Sequence, residues 1–223
     1  MTDSPFVYID IETIPSQDPA LLQRFRAEVT APAQYKKPDS IAAWLEENRD
    51  KVAKERLAKT SFGPAHGHIC TIAWAKDEDS FISCTHATRV ENEADSLRFF
   101  FESLDPYHSQ TFVGHYISGF DLRFILCRAV VLGVPIPHCI PRDPKPWGGR
   151  VFDTMTAWAG TRDTISMDNL CAALGLDGKG DGMDGSQVAQ AWADGRHEEI
   201  AEYCRQDVER TRAIHRKFIA VGW

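Results

Sequence analysis

Near its start the chain reads Val7-Tyr8-Ile9-Asp10-Ile11-Glu12-Thr13-Ile14-Pro15, and this stretch decides the fold. Apolar and polar side chains alternate along it with the period of a β-strand, and Pro15 ends the run because proline has no backbone N–H to donate. The alternation places Asp10 and Glu12 on one face of the predicted strand. Two ionised carboxylates on an otherwise apolar strand need a partner such as a divalent cation, unless the strand lies at an edge where both acids face water.

The composition is that of an ordinary globular protein, with 43% hydrophobic and 26% charged residues in 223. This length suits one α/β domain with insertions, or two small ones, and we expect a single domain over residues 1–223. No apolar run approaches the roughly 20 residues that cross a bilayer, and no signal peptide is recognisable. The six cysteines are scattered singly and are expected to be reduced thiols. We therefore expect a cytoplasmic protein with no membrane partner.

The net charge is −7, from 25 Lys plus Arg against 32 Asp plus Glu. A chain this acidic is not expected to coat nucleic acid non-specifically, because that binding depends on an excess of cationic side chains. An enzyme that acts at nucleic-acid ends remains possible, with its acids concentrated where metal ions neutralise them.

The remaining pattern predicts a mixed central sheet flanked by helices, an α/β fold. Residues 16–67 hold four prolines around a charged, helical piece, and we expect a helical insertion there that packs against the sheet or covers the site. The β-rich runs 68–75 and 80–86 predict a hairpin that pairs onto the first strand. Residues 151–155 read as a short strand, and a long helix is expected at about 198–219.

Two further acids lie on predicted helices. A glycine turn after a short strand is followed by a helix near Ser118, which puts Asp121 in the first helical turn, where the helix dipole favours a negative charge. Asp121 could equally be no more than a good helix start. In the last helix Tyr203 and Asp207 are spaced i, i+4 and point the same way, although an ordinary core tyrosine and a surface acid would give the same pattern.

Two loops carry cationic side chains that could meet a nucleic acid. Residues 135–149 combine five prolines with cations and Trp147, a composition that suits either a bound single strand or a solvated surface loop. The glycine-rich run 175–185 matches neither a calcium-binding loop nor a phosphate-binding P-loop, and it is interpreted as a flexible segment whose Lys179 can reach a phosphate. Between them, Asp153 is interpreted as a structural acid near the site.

The four acids lie on a first strand, a helix start and a terminal helix, which can converge on one end of a sheet. Their four negative charges would balance two divalent ions such as Mg²⁺ or Mn²⁺. Two such metals can flank a phosphodiester, one activating water and the other stabilising the leaving 3′-oxygen. The phenol of Tyr203, neutral at working pH, would orient the attacking water.

Three segments together resemble the Exo motifs of DEDDy 3′-5′ exonucleases in the DnaQ-like, RNase H-like superfamily: Asp10-Ile11-Glu12, Gly114-His115 with Phe120-Asp121, and Tyr203-x-x-x-Asp207. The resemblance spans residue 7 to about 215. It is strongest to bacterial and phage proteins described as predicted 3′-5′ exonucleases related to the exonuclease domain of family B DNA polymerases. It implies an RNase H-like fold and metal-dependent release of nucleoside 5′-monophosphates from single-stranded 3′ ends, with DNA slightly preferred over RNA.

The resemblance also implies a role for each matching residue. Asp10, Glu12, Asp121 and Asp207 would be the metal ligands, with Tyr203 positioning the water. The candidate substrate contacts are Thr13, Ile14, His115, Phe120 and Lys179. Tyr116 departs from the pattern, since relatives usually have Asn there, and this leaves the substrate preference open.

Other interpretations remain open on the same residues. An exoribonuclease or a small-substrate phosphodiesterase could use the same scaffold, because discrimination between sugars rests on contacts to the 2′-hydroxyl that a sequence does not display. A nucleic-acid-binding module that has lost catalysis is the alternative from another class. The sequence makes no prediction about oligomeric state.

Overall fold

The computed structural model describes residues 6–76, 79–105, 109–178 and 182–223. Five strands form one sheet in these ranges: β1 (Phe6–Ile14), β2 (His68–Lys76), β3 (Ser83–His86), β4 (Thr111–Gly114) and β5 (Val151–Asp153). The strand order is β3-β2-β1-β4-β5. β1 is antiparallel to β2 and parallel to β4, so the sheet is mixed and β1 lies at its centre. β2 and β3 form the predicted antiparallel hairpin beside β1.

Eight α-helices accompany this sheet in the described ranges: α1 (Pro19–Glu28), α2 (Pro38–Ala58), α3 (Glu93–Ser103), α4 (Asp121–Leu132), α5 (Thr154–Ala159), α6 (Met167–Ala173), α7 (Val188–Ala193) and α8 (His197–Ala220). The predicted α/β fold class is confirmed, and the architecture is that of an RNase H-like exonuclease domain. Two local expectations need correction. The strand expected at 151–155 ends at Asp153, whose side chain caps α5 by accepting from Thr156 N, and the second hairpin strand begins at Ser83 rather than at residue 80.

The central strand is buried on both faces. Ile9 and Ile11 belong to an apolar cluster with side chains of α3 and α4. Tyr8 packs toward α8 in a second cluster, and Ile14 joins a third one with α7 and α8. Since side chains alternate along a strand, Asp10 lies on the α8 face, between these two apolar positions. Helix α8 is therefore the element that packs over the acidic face of β1.

Residues 16–67, hereafter the arm, separate β1 from β2. A bidentate ion pair joins its two helices, with Arg26 of α1 donating to both carboxylate oxygens of Asp50 in α2 at 2.8 Å. The arm ends in a 3₁₀ turn, Lys59–Phe62, which lies against the end of β1. There the Thr13 hydroxyl donates to the carbonyl oxygen of Ser61 at 2.8 Å. The sequence predicted helix α2. It did not predict α1, in which a single leucine is buried.

Two general expectations can be compared with the structure. None of the six cysteines, all of which lie in the described ranges, forms a disulfide. Within the same ranges, no helix combines the length and apolar character that crossing a bilayer requires.

Candidate metal and active site

The predicted acids come together where β1 ends. Carboxylate oxygens of Asp10 and Glu12 and the sulfur of Cys204 lie within 4.8 Å of one another. The start of α4 is joined to the same strand, because the backbone N–H of Ile11 donates to Asp121 Oδ1 at 3.2 Å. Asp207, on the α8 face that covers β1, is almost fully buried. The structure therefore brings all four acids close enough that the charges of Asp207, Glu12 and Asp121 act on Asp10, although Asp121 and Asp207 lie outside the tight group formed by Asp10, Glu12 and Cys204.

Burial and mutual repulsion raise the pKa values of two of these acids, Asp10 and Asp121. Burial raises the pKa of Asp10 well above its usual value, and the charges of Asp207, Glu12 and Asp121 raise it further. Burial also raises the pKa of Asp121 to about 7, although backbone N–H groups that donate to its carboxylate, including that of Ile11, lower it. Nearby Asp153 and Asp207 add to the rise at Asp121. The site thus holds more negative charge than its protein surroundings neutralise.

A hard divalent cation fits this donor set. The ligand atoms on offer are carboxylate oxygens, which Mg²⁺ and Mn²⁺ prefer. The raised pKa values of Asp10 and Asp121 mean that a positive charge placed among them would be stabilised. Cys204 has a different part. Burial, followed by the charge of Asp10, raises the pKa of the Cys204 thiol well above its usual value, so the sulfur stays protonated. It donates to Asp10 Oδ2 at 3.3 Å and thereby orients that carboxylate.

Tyr203 lies against the same acids. Burial raises the pKa of its phenol, and the charges of Glu12, Asp207 and Asp10 and a hydrogen bond to Asp207 raise it further. The phenol is therefore neutral throughout the ordinary pH range, and its O–H donates to the carboxylate of Asp207. Two turns along α8 from Tyr203, Arg210 forms an ion pair with Asp207 at 2.5 Å. Arg210 supplies part of the positive charge that Asp207 needs.

Sequence reasoning did not identify Cys204 or Arg210. Both lie three positions from Asp207 on α8, one before it and one after it, and this spacing places helical residues on neighbouring positions of one face. Examining the whole face around Asp207, rather than Tyr203 alone, would have found both.

Asp153 shapes the loop between β4 and α4. Its carboxylate accepts from the backbone N–H groups of Tyr116 and Ser118, each at 3.1 Å, and from the Ser118 hydroxyl at 2.5 Å. These contacts hold the segment that leads directly into Asp121. Asp153 therefore has the structural role that the sequence predicted for it.

Tyr116 lies in that loop with a left-handed backbone, at φ 64°. A left-handed conformation costs most residues roughly 1–2 kcal/mol, and Asn tolerates it better than most. An Asn, which the family resemblance leads us to expect at this position, would fit this backbone for that reason. The Tyr116 ring covers Gly119, where a Cβ would lie 2.4 Å from a ring carbon, and 48% of the residue stays exposed to solvent.

The candidate substrate contacts differ in their burial and in their bonds to the rest of the protein. The Ile14 side chain is only 1% exposed and packs in the core beside Tyr203, so that contact with a nucleotide would fall to its backbone. His115 is held by the protein, with its ring nitrogens 2.9 Å from Thr154 Oγ1 and from the Ile165 carbonyl oxygen. Phe120 is partly buried at the edge of the core. Thr13 lies beside the arm, and Lys179 is outside the described residues.

Loop 135–149 uses some of its cations internally. Arg142 donates to the carbonyl oxygens of Pro137 and Ile136, at 3.2 and 2.9 Å, and Lys145 pairs with Asp143 at 2.8 Å. Trp147 is largely exposed. The loop thus presents an aromatic ring to solvent, while these two cations stabilise the loop itself.

Comparison with known proteins identifies the family. Residues 60–221 match the model of a family described as predicted 3′-5′ exonucleases related to the exonuclease domain of PolB. The matched part contains Asp121, Tyr203 and Asp207, while β1 and both helices of the arm precede it. A search of curated proteins finds no match. Since the matched residues make up more than half of the chain, the protein belongs to the family of predicted 3′-5′ exonucleases related to the exonuclease domain of PolB.

Proposed function

We propose that the protein is a DEDDy-type 3′-5′ exonuclease that hydrolyses the terminal phosphodiester bond of single-stranded nucleic acid, DNA slightly better than RNA, and releases nucleoside 5′-monophosphates. The observation that carries the proposal is the gathering of Asp10, Glu12, Asp121 and Asp207 beside Tyr203 at the end of β1. Family membership supports the same reaction class.

The four acids would hold two divalent ions, Mg²⁺ or Mn²⁺. When bound, such a pair supplies a lowered pKa for the attacking water and neutralises charge on the phosphate and on the leaving 3′-oxygen. Asp10 and Glu12 project from the same face of β1 and would share one ion. Asp121 is positioned by the N–H of Ile11, and Asp207 by its ion pair with Arg210 and its hydrogen bond to Tyr203.

Tyr203 would position the water rather than remove its proton. Its phenol is neutral and buried beside Asp207, with a pKa too high for it to act as a base. A neutral phenol can still donate one hydrogen bond and accept another, which fixes the direction from which a water approaches the phosphorus atom.

The proposal is tested with 5′-labelled single strands of DNA and RNA in Mn²⁺. A ladder that shortens from the 3′ end supports the exonuclease, and the relative rates on the two strands decide the sugar preference. Asp207→Asn is expected to lower the rate by at least a hundredfold. The control Glu202→Gln, an exposed acid on the same helix, should retain the parental rate. An uncut strand that still shifts on a gel would instead support a binding module without catalysis.

A further inference from the structure

Where the arm meets β1 it forms a cavity of about 360 Å³. This volume lies in the range of small-molecule sites, roughly 300–1,000 Å³. Its walls come from three parts of the chain, the end of β1, the arm and the region around the start of α7. Its polar and aromatic lining side chains are those of Thr13, Glu55, Lys59, Ser61, Phe62 and Ser186.

The cavity adjoins the candidate catalytic acids. Thr13 lines it and directly follows Glu12 in β1, although their side chains leave the strand on opposite faces. The α7 wall of the cavity reaches the acid side, because α7 packs with Ile14 and Tyr203 at the end of β1. The 3₁₀ turn of the arm is fixed to the strand at this point by the hydrogen bond from Thr13 to Ser61 O. A second bond, from Ser16 N to Thr60 Oγ1, joins the turn to the first residue of the arm, and each bond is 2.8 Å long. A strand whose phosphate lies among the acids therefore has its neighbouring bases within reach of the arm.

The residues that the arm contributes have the chemistry of a nucleotide subsite. Phe62 is 75% exposed, although it lines a cavity and is a large apolar side chain. An exposed ring of this kind can stack on any nucleobase, and a neighbouring cation such as Lys59 can meet the phosphate. The hydroxyl groups of Ser61 and Ser186 donate to Ala58 O and Asp184 Oδ1, so what they offer a base edge is an oxygen that can accept a hydrogen bond.

We propose that this cavity binds one of the two nucleobases that flank the scissile phosphate, with Phe62 stacking on the base and Lys59 contacting the backbone. The inference rests on the proposed function, because it takes the strand to be bound at the four acids. Helices α1 and α2 and Lys59 precede the residues that match the family model, so the subsite belongs in part to a segment outside that model.

The first test measures binding. In an Asp207→Asn background, which keeps the strand intact, the dissociation constant of a fluorescein-labelled decathymidylate is determined by anisotropy in Mn²⁺. Phe62→Ala should weaken binding about tenfold, as expected for the loss of one stacked base, and Phe62→Tyr should restore most of the affinity. The matched control is Phe81→Ala, since Phe81 is 70% exposed and lies in the turn between β2 and β3.

The second test measures turnover in the active chain. Phe62→Ala should raise KM for the decathymidylate about tenfold and leave kcat within a few-fold of the parent, because the ring contacts a base and not the reacting phosphate. Lys59→Ala should reduce the slope of log affinity against log salt concentration by about 1, as expected for the loss of one phosphate contact. Lys51→Ala is its control, because Lys51 is an exposed lysine of α2.

The outcomes separate the two proposals. A parent that cleaves strands, combined with a Phe62→Ala variant that matches Phe81→Ala in both affinity and KM, overturns the subsite and leaves the exonuclease standing. A parent that does not cleave the strand, combined with weakened binding in Phe62→Ala, overturns the exonuclease and leaves a nucleobase-binding site at Phe62. A chain that neither binds nor cleaves the strand overturns both.

Discussion

Replacing Asp121 by Asn should make the metal-free protein more stable. Asn keeps an oxygen in the place of Oδ1, so the hydrogen bond from Ile11 N, 3.2 Å in the parent, can still form. The substitution removes the negative charge that burial, Asp153 and Asp207 disfavour. Functional sites often hold such destabilising charge, and its removal stabilises the fold at the expense of activity.

The magnitude follows from the pKa of Asp121. Its pKa rises from 3.8 to about 7 on folding, about three units, and each unit corresponds to about 1.4 kcal/mol, so the ionised carboxylate costs up to about 4 kcal/mol. Between pH 4 and pH 7 the folded state holds a proton that the unfolded state has released. The parent should therefore lose stability as the pH rises through this window, and it should remain at its least stable above pH 7.

The assay is thermal unfolding followed by circular dichroism in EDTA, at pH 4.5 and at pH 8. At pH 8 the full difference of about 4 kcal/mol should raise the Tm of Asp121→Asn by about 8–16 °C, because 1 kcal/mol corresponds to about 2–4 °C for a chain of this size. At pH 4.5, which is 0.7 units above the ordinary pKa of 3.8, about 1 kcal/mol of the difference should remain, a rise in Tm of about 2–4 °C. Addition of Mn²⁺ at pH 8 should stabilise the parent far more than the variant, because the ion binds the folded carboxylates.

Asp163→Asn is the matched control, because Asp163 is exposed and away from the acids, and its Tm should stay within about 2 °C of the parent at both pH values. A variant Asp121→Asn that is less stable than the parent at pH 8, or equally shifted at both pH values, would refute the reasoning from charge repulsion.

Three other substitutions have definite expected outcomes. Tyr203→Phe should lower kcat about 10- to 100-fold with little change in KM, because it loses only the phenol hydroxyl that contacts Asp207. An unchanged kcat in strand-cleavage kinetics would contradict this role. Glu93→Ala should lower the free energy of unfolding by about 3–5 kcal/mol in urea titrations, because it leaves Arg128 buried without its carboxylate partner at 2.7 Å; a loss under 1 kcal/mol contradicts it. Tyr116→Asn should raise the free energy of unfolding by about 1 kcal/mol by relieving the left-handed strain, and a clear loss of stability would show that the ring on Gly119 matters more.

The periodicity of the sequence predicted the central strand and the functional face of the last helix. The alternation around Asp10 and Glu12 identified β1, and the i, i+4 pair Tyr203 and Asp207 placed two side chains on one face of α8. Both features depend on the period of a strand or a helix, which is written directly in the order of residues. The convergence of the acids followed from the resemblance and from their distribution over elements that can share one end of a sheet.

Contacts across the fold and unusual backbone conformations could not be predicted in the same way. The thiol of Cys204 meets Asp10 across 194 residues of sequence, and no short pattern contains both. The left-handed backbone of Tyr116 is unexpected because its residue type disfavours it, and it depends on hydrogen bonds from the loop to Asp153. Helix α1 buries only Leu21, which gives too weak an apolar period to recognise.

The attachment of the arm has a consequence for how such proteins diversify. Its 3₁₀ turn is fastened to β1 through Thr13 and to the first residue of the arm, Ser16, and neither residue is one of the four acids. Insertions or exchanges within α1 and α2 can therefore remodel what a strand encounters on arrival, while the hydrolytic centre stays intact. Homologous chains with different arms would then process different ends with one shared chemistry.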